Sequence, residues 1–157
     1  LLPTASLLKL ATPGDNLAAM AVPQLFRIVV QVADIELAAS FYARVLGVVG
    51  ERVSAGRHYF DCGGTILACL DPTGAGDGAR PAPLPDHLYL AVEDLELVRA
   101  AVVSAGGTLA AGEVHGDPAG TVARRPWGEE SFYALDPFDN PLCFVRRGTE
   151  FRGRGGR

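Results

Sequence analysis

"VADIEL", Val32–Leu37, and "VEDLEL", Val92–Leu97, are nearly the same phrase written twice, and the fold turns on reading them together. In each, an aspartate follows an apolar run and a glutamate comes two residues later: Asp34 with Glu36, Asp94 with Glu96. An aspartate so placed caps a helix, because its carboxylate accepts from the unpaired N–H groups of the first turn. The helix dipole then favours the acid that follows. The caps stand 60 residues apart (94 − 34). Ahead of each lies a run of strand length, "LFRIVVQVA" (25–33) and "HLYLAVE" (87–93). Behind the first, Ala38, Phe41, Tyr42, Val45 and Leu46 recur at helical spacing and Gly47 closes the element. Behind the second, Leu95, Val98, Ala101, Val102 and Ala105 form the helix face, and Gly106 and Gly107 end it.

Strand candidates follow each helix. After the first they are "GERVS", "RHYFD" and "TILACL"; after the second, "GTLAAGEV", "TVARRP", "ESFYAL" and "PLCFV", with "DPFDNP" as the turn before the last. The chain is therefore an internal duplication of a β-α-β-β-β unit. Aligning "GTILACL" with "DNPLCFV" gives an offset of 75 (139 − 64), against 60 at the caps. The second unit is longer by 15 residues (75 − 60), and the excess must fall in "GEVHGDPAGTVARRPWGEES". Between the units, "DPTGAGDGARPAPLPD" (71–86) is a linker by composition. Its Gly74, Gly76 and Gly78 are followed by prolines instead of a helix, which argues against a dinucleotide loop. The expected organisation is an N-terminal extension (1–22), a first module (23–72), the linker (73–85), a second module (86–147) and a basic tail (148–157), with both modules in one domain.

Composition narrows the function. The chain has 157 residues, 48% of them hydrophobic and 20% charged, and a net charge of −4. That is enough for a proper core and offers no electrostatic reason to expect nucleic acid. The Gly-rich basic end, "RGTEFRGRGGR", reads as a frayed terminus. Cys62, Cys69 and Cys143 lie at no disulfide or metal spacing and in apolar strand-like surroundings, as buried thiols in a reducing cytoplasm would. No apolar run reaches membrane-spanning length, and Lys9 lies inside the apolar N-terminal run, so neither anchor nor signal peptide is expected. The patterned sequence begins just after Met20, the sole methionine, so residues 1–19 read as an addition from an upstream start or for expression.

A short sheet curled around one helix closes no cavity by itself. Two such sheets side by side form a trough, whose inner face takes alternate residues from both halves. Strand alternation puts Arg27, Val29 and Gln31 on one face, with Ile28, Val30 and Val32 against the helix; it does the same for His87, Tyr89 and Ala91 opposite Leu88, Leu90 and Val92.

"FRIVVQVADIELAASFYARVLG", "PDHLYLAVEDLELVRAAVVSAGG" and "RPWGEESFYALDPFDNPLCFV" resemble the vicinal oxygen chelate superfamily, over roughly residues 24–146. That group includes glyoxalases, extradiol dioxygenases, fosfomycin-resistance enzymes and bleomycin-resistance proteins. The resemblance implies an α+β fold of two tandem βαβββ modules whose curved sheets form a barrel-like trough, and a homodimer. In metal-dependent members four inward side chains hold a divalent ion, from the first and last strand of each unit. The positions that match here are Arg27, His87, Ala68 and Cys143. Arg27 stays protonated, Ala68 has no donor, and His87 with Cys143 makes too few ligands. Shifting the register by one residue brings in Cys69 and still no carboxylate. Neither a metal nor another cofactor is therefore expected.

The expected ligand-binding set is Arg27, Gln31, His87, Tyr89, Trp127, Glu130 and Cys143. Each has a plainer alternative. Arg27 is an anion anchor or half of an ion pair. Similar sequences often carry Arg at the position of Glu130, so Arg27 and Glu130 are expected to approach across the trough. His87 is the one candidate for catalysis, as acid or base near neutrality, or else a satisfied strand histidine. Cys143 is a buried thiol or a nucleophile paired with His87. Trp127 stacks on a planar ligand or caps the core. Only one of His58 and Tyr59 can face the trough, and His115 in the longer loop is read as solvated.

The leading expectation is metal-independent binding of a small organic ligand, as in the bleomycin-resistance branch, by a cytoplasmic homodimer without nucleic-acid or membrane partners. The alternatives are a metal-dependent lyase or dioxygenase with atypical ligands, a metal-free lyase or isomerase using His87 as base, and a partner module without a ligand.

Overall fold

The computed structural model describes residues 20–153; most of the N-terminal extension and the last four residues of the basic tail lie outside the described part. The first module contains β1 (Arg27–Gln31), α1 (Ile35–Leu46), β2 (Glu51–Ser54), β3 (Arg57–Cys62) and β4 (Thr65–Leu70). Its sheet runs β1-β4-β3-β2, with β1 and β4 parallel and the other pairs antiparallel. Asp34 caps α1 as its sequence predicts, accepting from the N–H groups of Glu36 and Leu37 at 2.9 and 3.0 Å. Gly47 ends the helix at φ 69°, a left-handed turn that suits glycine.

The second module contains β5 (Leu88–Val92), α2 (Leu95–Ser104), β6 (Thr108–Leu109), β7 (Glu113–Val114), β8 (Asp117–Pro118), β9 (Ala123–Arg124), β10 (Glu130–Leu135) and β11 (Pro141–Arg146). Its sheet runs β5-β11-β10-β6, β9 also pairs with β10, and β7 and β8 form a small separate ribbon. Asp94 caps α2 through the Leu97 N–H at 3.0 Å. The registers confirm the alignment of the halves. Val29 pairs across to Ala68 and Tyr89 to Cys143, so partners of equivalent residues are 75 apart (143 − 68). "GTLAAGEV" proves to be two strands instead of one, because Gly112 turns the chain at φ 83°. The pairing of β8 with β7 was not expected from the sequence.

The helix-facing rows of both sheets share one core. Val30, Phe41, Tyr42, Phe60 and Cys69 of the first module meet Leu95, Val102, Phe132, Leu142 and Phe144 of the second, and all are fully buried. Each large apolar side chain buried in this way contributes about 1.5–3 kcal/mol. The helices pack on each other between the modules, and Arg44 reaches Ser104 at 3.3 Å. Gly107 lets the chain pass close: a Cβ there would sit 2.8 Å from the Phe41 ring and from the Leu135 carbonyl.

A polar joint locks the arrangement. Tyr42 Oη donates to Asp136 Oδ2 at 2.6 Å, and both residues are buried. The same carboxylate accepts from the N–H groups of Phe138 and Asn140 and from Asn140 Nδ2, at 2.8, 2.9 and 2.8 Å. Asn140 also donates to the Gln31 carbonyl at 2.9 Å and accepts from the Leu84 N–H at 2.9 Å. The "DPFDNP" turn is thus the hinge-pin between modules, since it touches α1, the end of β1 and the linker.

The architecture is the expected pair of βαβββ modules. The helix-facing rows of the two modules bury each other in one core, and among the described residues no strand of one module pairs with a strand of the other. β1 and β5, the first strand of each module, are left as sheet edges.

Candidate functional site

On the first open face, β1 presents Arg27, Val29 and Gln31, β4 presents Ile66, Ala68 and Leu70, and β3 presents Arg57, Tyr59 and Asp61 in register beside them. Tyr59 therefore takes the open face and His58 the buried one, where its Nε2 lies 3.1 Å from the Val49 carbonyl. The Arg27 guanidinium lies over two rings, Phe26 and Tyr59, each 5.1 Å away. The Gln31 side-chain oxygen is occupied by the Ala82 N–H at 2.8 Å, so this residue ties down the linker.

The expected Arg27–Glu130 pair does not form. Glu130 lies on the helix-facing row of its sheet, with Phe132, and pairs with Arg146 at 2.5 Å and Arg124 at 3.5 Å. The acid on the open face is its neighbour Glu129, which is buried. One Glu129 oxygen accepts from the Trp127 indole N–H at 2.7 Å, the other from the Phe151 N–H at 2.8 Å. Trp127 thus belongs to a strap that fastens the C-terminal segment, with His115 edge-on to its ring at 5.3 Å. His115 is exposed, as expected.

The second open face brings together His87, Tyr89 and Cys143 from the expected set. His87 lies edge-on to Tyr133 at 5.1 Å and to Tyr89 at 6.3 Å, and Cys143 is the cross-strand partner of both Tyr89 and Tyr133. Burial pushes the Cys143 thiol and the Tyr133 phenol each up to about 12, so both stay protonated at neutral pH. Asp86 Oδ1 lies 3.1 Å from His87 Nδ1.

Part of this face is covered by the chain's own extra length. Ala119 packs on Tyr133, Cys143 and Val145, and Arg125 is sealed beneath the loop at 2% exposure. Its guanidinium donates to the Ser131 hydroxyl and carbonyl at 3.0 Å each and lies over the Tyr133 ring at 5.2 Å. The uncovered part carries a cavity of about 470 Å³, walled by Tyr89, Ala91 and Val145 on the sheet side and by Glu150, Phe151 and Arg152 on the strap side. Asp86, Arg125, Glu129 and Tyr133 went unnoticed in the sequence. Period-two alternation along "ESFYAL" was the available signal for Tyr133; nothing in the letters marks Arg125 as buried.

The four positions of the superfamily's metal set do not fit an ion. Arg27 is cationic, Ala68 offers no donor, and Cys143 is fully buried as a thiol. Among the described residues no group of three or more His, Cys, Asp or Glu is placed to hold one. No helix among them is long and apolar enough to cross a membrane.

The model of the glyoxalase-like domain matches residues 27–145. Among solved structures, a glyoxalase-related enzyme from Fulvimarina pelagi is 19% identical, with a TM-score of 0.64 over 87% of this chain and 96% of that one. A glyoxalase/bleomycin resistance protein from Albidiferax ferrireducens T118 is 22% identical, with a TM-score of 0.62 over 77% and 96%. The oxidase ChaP-H2 is 26% identical, with a TM-score of 0.62 over 85% and 100%. Among curated proteins none matches. The duplicated βαβββ pattern, the register that aligns its halves and the match over most of its length agree: this chain belongs to the glyoxalase-like domain family.

Proposed function

We propose that this protein binds a small organic ligand on the open faces of its sheets, without a metal ion. The observation that carries the reading is the open groove of about 470 Å³ over the second sheet, where aromatic, apolar and charged side chains converge. One side offers the Tyr89 ring and the apolar Ala91 and Val145; the other offers Phe151, two glutamates and Arg152. The donor set supports the absence of a metal, since two of the four superfamily positions are a guanidinium and a methyl group.

A second copy completes the trough in this reading. The reading is supported by the unpaired edges of β1 and β5 and by exposed Leu25 (65%), Phe26 (60%) and Tyr89 (57%) on or beside them. Sedimentation velocity should return a dimer; a monomer throughout the micromolar range would remove this part.

The binding claim is tested by a thermal-shift screen of small organic compounds, repeated on Tyr89→Ala. A ligand at a hundred times its Kd adds about 2.7 kcal/mol, or about 5–11 °C for a chain of this size. Hits should lose that gain in Tyr89→Ala, whose exposed ring contributes little to folding. Hits indifferent to the change, or a silent screen, would count against the site.

One observation favours a second reading, metal-free proton transfer at His87. Asp86 sits where it can orient the ring through Nδ1, and its own carboxyl is held below the usual range by the His87 backbone N–H and then by the ring. Turnover of a bound ligand that disappears in His87→Gln while binding persists would establish it.

A further inference from the structure

We propose that the first open face reads a planar organic carboxylate, with Arg27 as its anchor; this rests on the reading of the open faces as ligand walls. The Arg27 guanidinium is carried over the Phe26 and Tyr59 rings at 5.1 Å from each. Among the described residues no carboxylate lies within ion-pair distance of it and no group accepts a hydrogen bond from its guanidinium. Rings beside a guanidinium hold it in place through its face, while its N–H edges stay free. An edge of that kind matches a carboxylate through two parallel hydrogen bonds.

The surroundings suit the rest of such a molecule. The row beside Arg27 is Val29 next to Ala68, with Tyr59 beyond it in register. Ala68 is 2% exposed beneath its larger neighbours, so the surface beside Arg27 is made by exposed Val29 and half-buried Tyr59. The acid in register with Arg27, Asp61, stands two strands away, a backbone separation on the order of 10 Å, and makes no ion pair with it. Its carboxylate is already used by the Gly64 N–H at 2.7 Å. A flat apolar body therefore rests on Val29 against the Tyr59 ring, with its carboxylate edge-on to Arg27.

The test is chemical-shift mapping on the isotope-labelled full chain with three probes: benzoate, benzamide and inorganic phosphate. Benzoate should move the amides of residues 26–31 and 65–70 saturably, with benzamide and phosphate binding at least about tenfold more weakly. Arg27→Gln should weaken benzoate by a similar factor, and Arg27→Lys by less. The spectrum itself reports that each variant is folded, and Arg27 is exposed enough for both to be so. Equal binding of benzamide would show that charge is not read; equal binding of phosphate would show that the shelf is not used. Either result overturns the proposal, as does benzoate binding unchanged in Arg27→Gln. If probes instead shift Tyr89, Ala91 and Val145 alone, the second face survives as a ligand wall and only the carboxylate anchor falls. Silence on both faces from every probe counts against the anchor and the open-face reading together.

Discussion

The Tyr42–Asp136 hydrogen bond ties α1 to the "DPFDNP" turn across the shared core, so replacing Tyr42 by Phe tests that joint with a single oxygen. The phenol donates at 2.6 Å to a carboxylate that is 2% exposed, and the ring packs edge-on to Phe41 at 4.9 Å and against Phe60 at 6.1 Å. Phe keeps that packing and removes the donor. Asp136 retains three other donors, one from Phe138 and two from Asn140, so its charge is not stranded outright. The loss is then that of one buried hydrogen bond to a charged group, about 1.5–3 kcal/mol. For a chain of this length it corresponds to a fall in Tm of about 3–12 °C. Urea unfolding followed by circular dichroism should show a lower midpoint with an unchanged slope. The cycle with Asp136→Asn should return a coupling of about 1 kcal/mol or more between the two sites, as for residues in direct contact. A Tyr42→Phe protein within about 0.5 kcal/mol of wild type, the range of an ordinary surface change, would refute the joint.

Two further predictions concern protons and thiols. Cys69, Cys143 and Tyr133 are each raised to about 12 from 9.0, 9.0 and 10.0, chiefly by burial, and Tyr42 is raised from 10.0 by burial and by Asp136. The unfolded chain therefore ionises first. The stability these groups contribute is complete below pH 9 and is lost as pH climbs toward 12; a stability profile flat over that window would contradict it. In native protein at neutral pH a thiol reagent should reach half-buried Cys62 slowly and leave Cys69 and Cys143 untouched, with all three reacting in urea. Fast reaction of Cys143 would make it an accessible nucleophile and revive covalent chemistry with His87.

Much of the fold was readable because it rests on short-range chemistry. An Asp cap, a left-handed glycine and alternation along strands all act within a few residues, and the Asp34 cap, the Gly47 stop and the row Arg27, Val29 and Gln31 followed from them. The relative placement of the modules was not readable. It depends on which apolar rows bury each other, and Phe41 against the passage at Gly107 is a contact between residues 66 apart (107 − 41). The site was legible in part for the same reason. His87 and Tyr89 follow from alternation and Cys143 from aligning the two last strands, and the three share a face. Glu129 and Glu130 are adjacent letters whose roles depend on strand phase: one faces the cavity, the other pairs with Arg146 behind the sheet. Arg125, buried without a carboxylate in ion-pair reach among the described residues, looks like any loop arginine until the extra 15 residues of the second module are folded over its sheet.

The central claim is that the open faces bind their ligand without a metal. The most direct test is the metal content of tag-free protein, by mass spectrometry, after incubation with Fe²⁺, Mn²⁺, Ni²⁺ and Zn²⁺ and desalting. The account predicts far less than one ion per chain, because Arg27 and Ala68 stand at two of the four ligand positions. Near-stoichiometric metal, lost on replacing His87, would contradict it and place a coordination shell on the second face.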